Sequence, residues 1–499
     1  MFPDLSTVST IAFDTETSGL DPHDDRPVGY VVTWGFRPEE SVYLPIRHEG
    51  GGNLEPGPVI EFVRKNLSRT DLRVVMHNAA FDLWMAGKDG IEINGPIEDT
   101  GLNDPLINEN LSSKDGLRSA GYNGPGYMTG YSLAACCSRA RVQAKLAQPM
   151  YEYLAKRFGG KPTRDQMSNF WKLPGDDEMA VDYAAGDGTS TLQLWAHQQG
   201  QLDSQDLRRV WKVECDLIPV LHRARVRGVP IDENELARVN EQITKESEEA
   251  LEELGGLNPR APSEIKKYLN DKATNYGEHE WDEKIVPRPG MTSPSKRFPQ
   301  GQESYNKDYL NKFEIGQNIM WPRKLIHLKS SFISPLIERH LHNGMVYPNF
   351  WQLASDDYGT VTGRFSSSSP NLQQVPKRDK RLGRIFRRVF VPPEGMTLWE
   401  MDYSQCEYRL FAHFARSERL IRGYNEDDID MHDMVAKLVS IGRDPAKTLN
   451  FAILYGAGAK RVAGQLGISV AEAKSLIAQY FQEIPEAKAF KDLASSRAM

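Results

Sequence analysis

The sequence has few cysteines, no long apolar run and no basic residue near its start. Its four cysteines in 499 residues cannot form a disulfide scaffold, and no two have the Cys-x-x-Cys spacing of a zinc site. No apolar run exceeds five residues, whereas a membrane-spanning helix needs ~20. The first basic residue is Arg26, which excludes a secretory signal with a positive amino-terminal region. These absences predict a cytoplasmic protein without a membrane segment.

Length and charge indicate several domains with different partners. At about 150 residues per domain, 499 residues predict two to four domains. Charged residues make up 26% of the chain, which argues against disorder. The net charge of −7 combines −11 over residues 1–110 with +4 over the rest, where KRDKRLGRIFRR (377–388) is strongly basic. We expect metal binding at the acidic front and phosphate binding at the rear.

The pattern of apolar and polar residues along the chain predicts an α/β fold for its front and mostly helical structure for its rear. STIAFDTET and RVVMHNAAF are strand-like, and residues 177–199 have helical apolar spacing. Helices are also predicted over WKVECDLIPVLHRARVRGVPID, ending at Gly228, and over 233–256. Residues 270–325 are interpreted as loops with few firm elements. TLWEMDYS is strand-like, and helical patterns follow from Cys406.

Acidic side chains recur in the front at spacings that bring them onto common faces. Asp14 and Glu16 lie two residues apart on a predicted strand and so share one of its faces. Asp82 and Asp187 each lie on a predicted helix, four residues after Asn78 and Tyr183 respectively. Four gathered carboxylates would bind hard cations such as Mg²⁺ or Mn²⁺, and two such ions can cleave a phosphodiester. Taken singly, each feature is also typical of a solvated loop, a helix cap or a core aromatic.

FDTET, HNAAFD and DYAAGD together resemble the three exonuclease motifs of the DEDD superfamily, in the subtype with tyrosine in its third motif. The resemblance implies that the four carboxylates, Asp14, Glu16, Asp82 and Asp187, are metal ligands. Tyr183 would orient the attacking water. Leu20 would lie against the terminal base, and Asn78 matches the family's asparagine in contact with DNA.

Two segments of the rear carry groups suited to a nucleotide and a template. TGRFSSSSPNLQQVP (362–376) offers donors for phosphates and the minor groove, although its composition also fits an exposed loop. In RDPAKTLNFAILYG, one helical face presents Arg443 and Lys447 and then Phe451 and Tyr455. Such a face can hold a triphosphate and stack a base, although it is also typical of a helix half exposed and half in a core.

Almost the whole chain resembles A-family DNA polymerases of the bacterial DNA polymerase I and phage types. DYSQCEYR is similar to their motif A and Arg443 to Gly456 to their motif B. The resemblance implies metal binding by Asp402, and nucleotide binding by Tyr403, Glu407, His432, Arg443, Lys447, Phe451 and Tyr455. It also implies primer–template contacts by Arg364, Asn371 and Gln373. Two Mg²⁺ or Mn²⁺ ions would act in each active site.

The expected activities are DNA-templated DNA synthesis and 3′–5′ proofreading in DNA replication, with dNTPs, primer–template DNA and a single-stranded 3′ end as ligands. The His-Asp-Glu turn of the family does not occur after motif B; in the polymerase-like rear of the chain the sole His-Asp pair is His432-Asp433, which precedes motif B. We therefore expect weak polymerisation by this chain, or a second chain that completes the palm. A stand-alone exonuclease with a DNA-holding rear half, or a non-catalytic DNA-binding remnant, are alternatives.

The expected fold is a ribonuclease H-like α/β exonuclease domain followed by a helical thumb, partial palm and fingers. The predicted boundaries are 1–203 for the exonuclease, 204–344 for the linker helix and thumb, 345–410 for the partial palm and 411–499 for the fingers. We expect the protein in the cytoplasm, that of the host cell if a phage encodes it.

Overall fold

A five-stranded mixed sheet organises the front of the chain. The structure is a computed structural model, and it describes residues 2–122, 126–143, 145–273, 283–356, 358–377, 379–426 and 430–497. The sheet order is β3-β2-β1-β4-β5, with β2 antiparallel to both neighbours and β1, β4 and β5 parallel. The strands are β1 (Thr10–Thr17), β2 (Pro27–Thr33), β3 (Ser41–Pro45), β4 (Arg73–Met76) and β5 (Ile97–Asp99).

In the described residues of this part of the chain, seven α-helices accompany the sheet, and the last of them crosses it. They are α1 (Pro56–Leu67), α2 (Ala79–Lys88), α3 (Thr100–Ile107), α4 (Lys114–Ser119), α5 (Leu133–Ala140), α6 (Ala147–Phe158) and α7 (Glu178–Ser204). Short 3₁₀ helices occupy Pro38–Glu40 and Arg164–Lys172. Helix α7 begins where the Asp177 carboxylate accepts hydrogen bonds from the amides of Met179 and Ala180, which is a strong start signal.

The two faces of β1 meet different helices because its side chains alternate. Ile11 and Phe13 belong to the main core, which also holds Ala79 and Leu83 of α2. Ala12, on the opposite face, packs with Leu192 of α7. Every second residue after Ala12 therefore points toward α7, and the alternate residues point toward α2.

The next part of the chain is mainly helical with short strand pairs. Its α-helices are α8 (Arg208–Arg227), α9 (Glu233–Glu253), α10 (Pro262–Ala273), α11 (Lys307–Leu310), α12 (Glu314–Leu328) and α13 (Leu382–Arg387). Other helical turns are Lys329–Ile333, Leu336–His340 and Leu372–Gln374. The strands are β6 (Val229–Pro230), β7 (Gly290–Met291), β8 (Glu303–Ser304), β9 (Leu341–His342), β10 (Met345–Val346), β11 (Asn349–Trp351) and β12 (Ser366–Ser368).

Two local expectations are wrong here. Within 270–325, residues 274–282 lie outside the described residues and 283–306 are mostly loop, as expected. The expectation is wrong for the end of this range, where α12 begins at Glu314 and packs Leu325 and Leu328 against α9. The segment TLWEMDYS, which has a strand-like pattern, does not form a strand among the described residues. Trp399 and Met401 within it are 81% and 88% exposed. A strand needs a neighbour to satisfy its backbone, and none pairs with this run within the described ranges.

The carboxyl-terminal residues form a helical unit with its own core. Its helices are α14 (Cys406–Phe414), α15 (Glu418–Glu426), α16 (Met431–Leu438), α17 (Arg443–Leu454), α18 (Ala459–Leu466), α19 (Val470–Glu483) and α20 (Pro485–Arg497). Tyr408, Val435, Leu449 and Tyr480 lie in one buried apolar cluster. The chain thus divides into two units, Met1–Thr397 and Leu398–Met499. In the described part of the chain, no helix is both long and apolar enough to cross a lipid bilayer.

Candidate nuclease and polymerase sites

The face of β1 that carries Ala12 also carries Asp14 and Glu16, so both carboxylates point toward α7. There they meet Asp187, and one oxygen of each of the three side chains lies within 4.8 Å of the others. Glu16 and Asp187 are 8% and 3% exposed. The sequence spacing within β1 and the crossing of α7 thus build one acidic cluster, in which Glu16 and Asp187 are buried and Asp14 is half-buried.

Close approach of α7 to the sheet depends on the glycine that follows Asp187. A Cβ on Gly188 would collide with Thr33 Oγ1 and lie 2.9 Å from Val31 Cγ1, both on β2. The absence of that Cβ lets the helix backbone approach β2 closely. Tyr183, one turn earlier on α7, is 4% exposed and borders the cluster.

Burial and mutual repulsion make the cluster hard to ionise. Burial, and then the negative charge of Asp187, raise the pKa of Asp14 to about 7. Burial also raises the pKa of Glu16 well above its ordinary value, with Asp14 and Asp187 adding to the effect. Carboxylates in such a site are ionised at neutral pH when cations compensate them.

The cluster fits a divalent cation on two further grounds. Its donors are hard carboxylate oxygens, the type that Mg²⁺ and Mn²⁺ prefer. Among the described residues, Asp187 Oδ1 is buried and finds no hydrogen-bond partner, which leaves it available as a ligand. The residues present therefore suit the metal that the sequence predicts.

Asp82 lies beside this cluster and is held by the other face of β1. Its Oδ1 accepts hydrogen bonds from Thr15 N at 3.0 Å and Thr15 Oγ1 at 2.7 Å. Burial, followed by the charge of Asp14, raises the pKa of Asp82 well above its ordinary value. The structure thus gathers three carboxylates tightly and anchors the fourth next to Asp14.

Lys145 enters the same site, and no sequence motif pointed to it. Its ammonium forms an ion pair with Asp187 Oδ2 and lies 4.9 Å from the ring centroid of Tyr183. It comes from the segment between α5 and α6, 42 residues before Asp187. A single lysine in ARVQAKLAQ carries no spacing signal, so tertiary structure alone reveals it.

The two residues expected to contact the DNA end are exposed near the cluster's motifs. Leu20 follows β1 and is 72% exposed. Asn78 immediately precedes α2 and is not within it, with φ 73° and ψ 52°, and its side chain forms no capping hydrogen bond. The carboxylate of Asp99 instead accepts from the amides of Asn78 and Ala79, which fixes the start of α2.

Helix α17 presents the expected charged and aromatic face. Arg443 pairs with Asp430 at 2.6 Å and with Asp433 at 3.3 Å. Lys447 is exposed one turn later. The rings of Phe451 and Tyr455 are nearly parallel, with centroids 6.4 Å apart, and Tyr455 is the residue directly after the helix.

His432 contacts this helix, and Glu407 contacts the residue that follows it. His432 is 4% exposed, and its Nδ1 lies 2.9 Å from Nδ2 of Asn450 on α17. Tyr455 donates a hydrogen bond of 3.4 Å to Glu407 Oε1. In this structure the imidazole of His432 thus packs against α17 and is not exposed to solvent.

The remaining predicted positions are exposed except Asn371, which is half-buried, and they lie outside the α-helices and strands. Asp402 and Tyr403 precede α14, and Tyr403 is 84% exposed. In the other unit, the Asn371 side chain accepts from Gln373 N at 3.1 Å, and Gln373 Nε2 donates to Phe365 O at 3.0 Å. Arg364 is exposed in the same segment.

Comparisons with known proteins match one family to the front of the chain and a second family to the rear. Residues 1–203 match the family described as 3′-5′ exonuclease, and residues 233–499 match DNA polymerase family A. A DNA polymerase DpoZ of Salmonella phage PMBT28 is 31% identical over 94% of this chain and 73% of its own length. The chain belongs to DNA polymerase family A.

More distant members of the family extend the comparison. DNA polymerase I of Synechocystis is 29% identical over 94% of this chain and 44% of its own length. A solved polymerase domain of M. smegmatis Pol1, in complex with DNA primer-template and dNTP, has a TM-score of 0.71. That structure shares 20% identity and covers 99% of this chain and 76% of its own, which supports the fold.

The protein is thus a family A DNA polymerase with a 3′–5′ exonuclease domain in front of the polymerase domain. The expectations for family, fold class and enzyme class are confirmed, as is the role in DNA replication. Divalent-metal use is typical of both families, and the acidic cluster is its candidate site.

Proposed function

We propose that the exonuclease cleaves the last phosphodiester of a DNA 3′ end at the buried acidic cluster. The observation that carries this proposal is the convergence of Asp14, Glu16 and Asp187 oxygens within 4.8 Å. These three residues, together with Asp82, would hold two Mg²⁺ or Mn²⁺ ions. When bound, the ions would stabilise the negative charge that develops on the phosphate oxygens during the reaction and would lower the pKa of a bound water.

The chain's own residues then orient the reactants. The Tyr183 hydroxyl, one turn from Asp187, would hold the attacking water. Leu20 would pack against the terminal base, because its side chain is exposed beside β1. Asn78 is exposed at the start of α2, and its side-chain amide would donate to the strand being cleaved.

For synthesis, we propose that the face of α17 binds the incoming dNTP. Arg443 and Lys447 would hold the triphosphate, and the parallel rings of Phe451 and Tyr455 would contact the base pair. The other nucleotide-binding residues would be Tyr403, Glu407 and His432, with Asp402 as the metal ligand. Arg364, Asn371 and Gln373 would contact the primer–template.

We also propose that the 499-residue chain extends primers weakly and that a second polypeptide would complete its palm. In support, Asp402 lies in an exposed segment without a paired strand in the described residues, next to exposed Trp399 and Met401. One aspartate and a carbonyl are a poor site for two metal ions. The same proposal includes domain boundaries near residues 203, 344 and 410. It also includes action in the cytoplasm, which would be the cytoplasm of the host cell if a phage encodes the protein.

The test uses a 5′-labelled primer annealed to a longer template with Mg²⁺. Without dNTPs, we expect shortening that Asp14→Ala abolishes and that Asp182→Ala, an exposed acid on α7, leaves intact. With dNTPs, weak extension that Asp402→Ala abolishes would support the polymerase proposal. Shortening without any extension would favour an exonuclease whose rear half only holds DNA. Salt-sensitive binding without either reaction would indicate a DNA-binding remnant and overturn both proposals.

A further inference from the structure

Lys145 places a positively charged ammonium within the acidic cluster. Asp14, Glu16 and Asp187 bring three carboxyl groups within a few ångströms of one another, and the ammonium of Lys145 pairs with Asp187 Oδ2. Across the described ranges, it is the only cation that forms an ion pair with any of these three carboxylates or with Asp82. The side chain is 24% exposed, so solvent screens this charge only partly.

The same ammonium touches both functional residues of the third motif. It lies 4.9 Å from the ring centroid of Tyr183, within the range of a cation–π contact. Asp187 and Tyr183 are one turn apart on α7, so a single lysine bridges them. Its two contacts thereby fix the side chains of Asp187 and Tyr183 relative to each other.

This contact conflicts with full use of Asp187 as a metal ligand. One of its oxygens pairs with Lys145, and the other is buried and has no hydrogen-bond partner in the described part of the chain. A divalent cation at the cluster would face the ammonium at close range, and like charges repel strongly in a partly buried site. Metal binding and the Lys145–Asp187 pair are therefore mutually opposed.

We propose that Lys145 is a positioning residue that holds Asp187 and Tyr183 in the metal-free exonuclease site and competes with the divalent cation for Asp187. The inference rests on the proposed metal site of the exonuclease. It predicts that the lysine neutralises the cluster between catalytic events and weakens metal binding as a consequence. An ion pair with a purely structural role would leave metal affinity unchanged.

The test measures Mn²⁺ binding calorimetrically on the full chain after its metals have been removed with EDTA. All variants carry Asp402→Ala, so that the other proposed metal ligand does not contribute. Lys145→Met should bind Mn²⁺ about tenfold more tightly, equivalent to about 1.4 kcal/mol. Lys145→Arg, which keeps the charge, should stay close to the parent. Lys156→Met removes an exposed lysine of α6 and should also match the parent.

A second measurement shows whether Lys145→Met is folded and separates the remaining outcomes. In EDTA, Lys145→Met should melt at a lower temperature than the parent, and saturating Mn²⁺ should close the gap. Unchanged or weaker Mn²⁺ binding by a folded Lys145→Met would overturn the role of Lys145 as a competitor. If the parent itself binds no Mn²⁺ at Asp14, Glu16 and Asp187, the proposed metal site is wrong, and the inference fails with it.

Discussion

Asp14 provides the most informative test of the cluster's electrostatics. Its pKa is raised from 3.8 to about 7, first by burial and then by Asp187. Between these values the folded protein binds a proton that the unfolded chain has lost, so the free energy of unfolding falls as pH rises. At 1.36 kcal/mol per pKa unit, the penalty above pH 7 is at most about 4 kcal/mol.

Asp14→Asn removes this penalty because an amide does not ionise. In EDTA at pH 8, we expect the variant to be more stable than the parent by up to about 4 kcal/mol, whereas at pH 4 the two should be nearly equal. The assay is urea unfolding, followed by tryptophan fluorescence at both pH values. A variant that is less stable at pH 8, or a difference that does not change with pH, would refute the reasoning.

Two further predictions concern the supports of the site. Thr15→Val removes the hydroxyl that donates to Asp82 at 2.7 Å. The single-turnover rate of primer shortening should fall about tenfold, since a hydrogen bond to a charged group contributes about 1.5–3 kcal/mol. An unchanged rate would contradict this prediction. Arg139→Met leaves the carboxylate of Asp104 buried without its 2.6 Å ion pair and should lower the free energy of unfolding by about 3–5 kcal/mol, measured with urea. The matched control, Arg37→Met, removes an arginine whose side chain is 70% exposed and should cost less than about 1 kcal/mol.

Local patterns predicted the elements of the front well. The strand that carries Asp14 and Glu16 and the helix that carries Tyr183 and Asp187 were both evident from spacing. Alternation along a strand and a four-residue step along a helix are properties of the backbone, so they can be read without tertiary structure. The helices from Cys406 onward were predictable for the same reason.

Other features depend on contacts that no local pattern encodes. Helix α12 contains Pro322 and follows a polar stretch, which obscured its apolar face. TLWEMDYS has the composition of a strand, but no neighbouring strand pairs with it in the described residues. Lys145 reaches Asp187 only because the segment between α5 and α6 packs beside α7. In each of these three segments, contacts between residues far apart in the sequence determine the local structure.

The central claim is that the buried cluster of Asp14, Glu16 and Asp187 carries the exonuclease activity. The most direct measurement is the rate at which a 5′-labelled single strand is shortened in Mg²⁺ by the parent, Asp187→Asn and Asp182→Asn. The last variant makes the same chemical change at an exposed position of the same helix. We expect the parent and Asp182→Asn to shorten the strand at equal rates and Asp187→Asn to be inactive. Equal shortening by Asp187→Asn would contradict the claim.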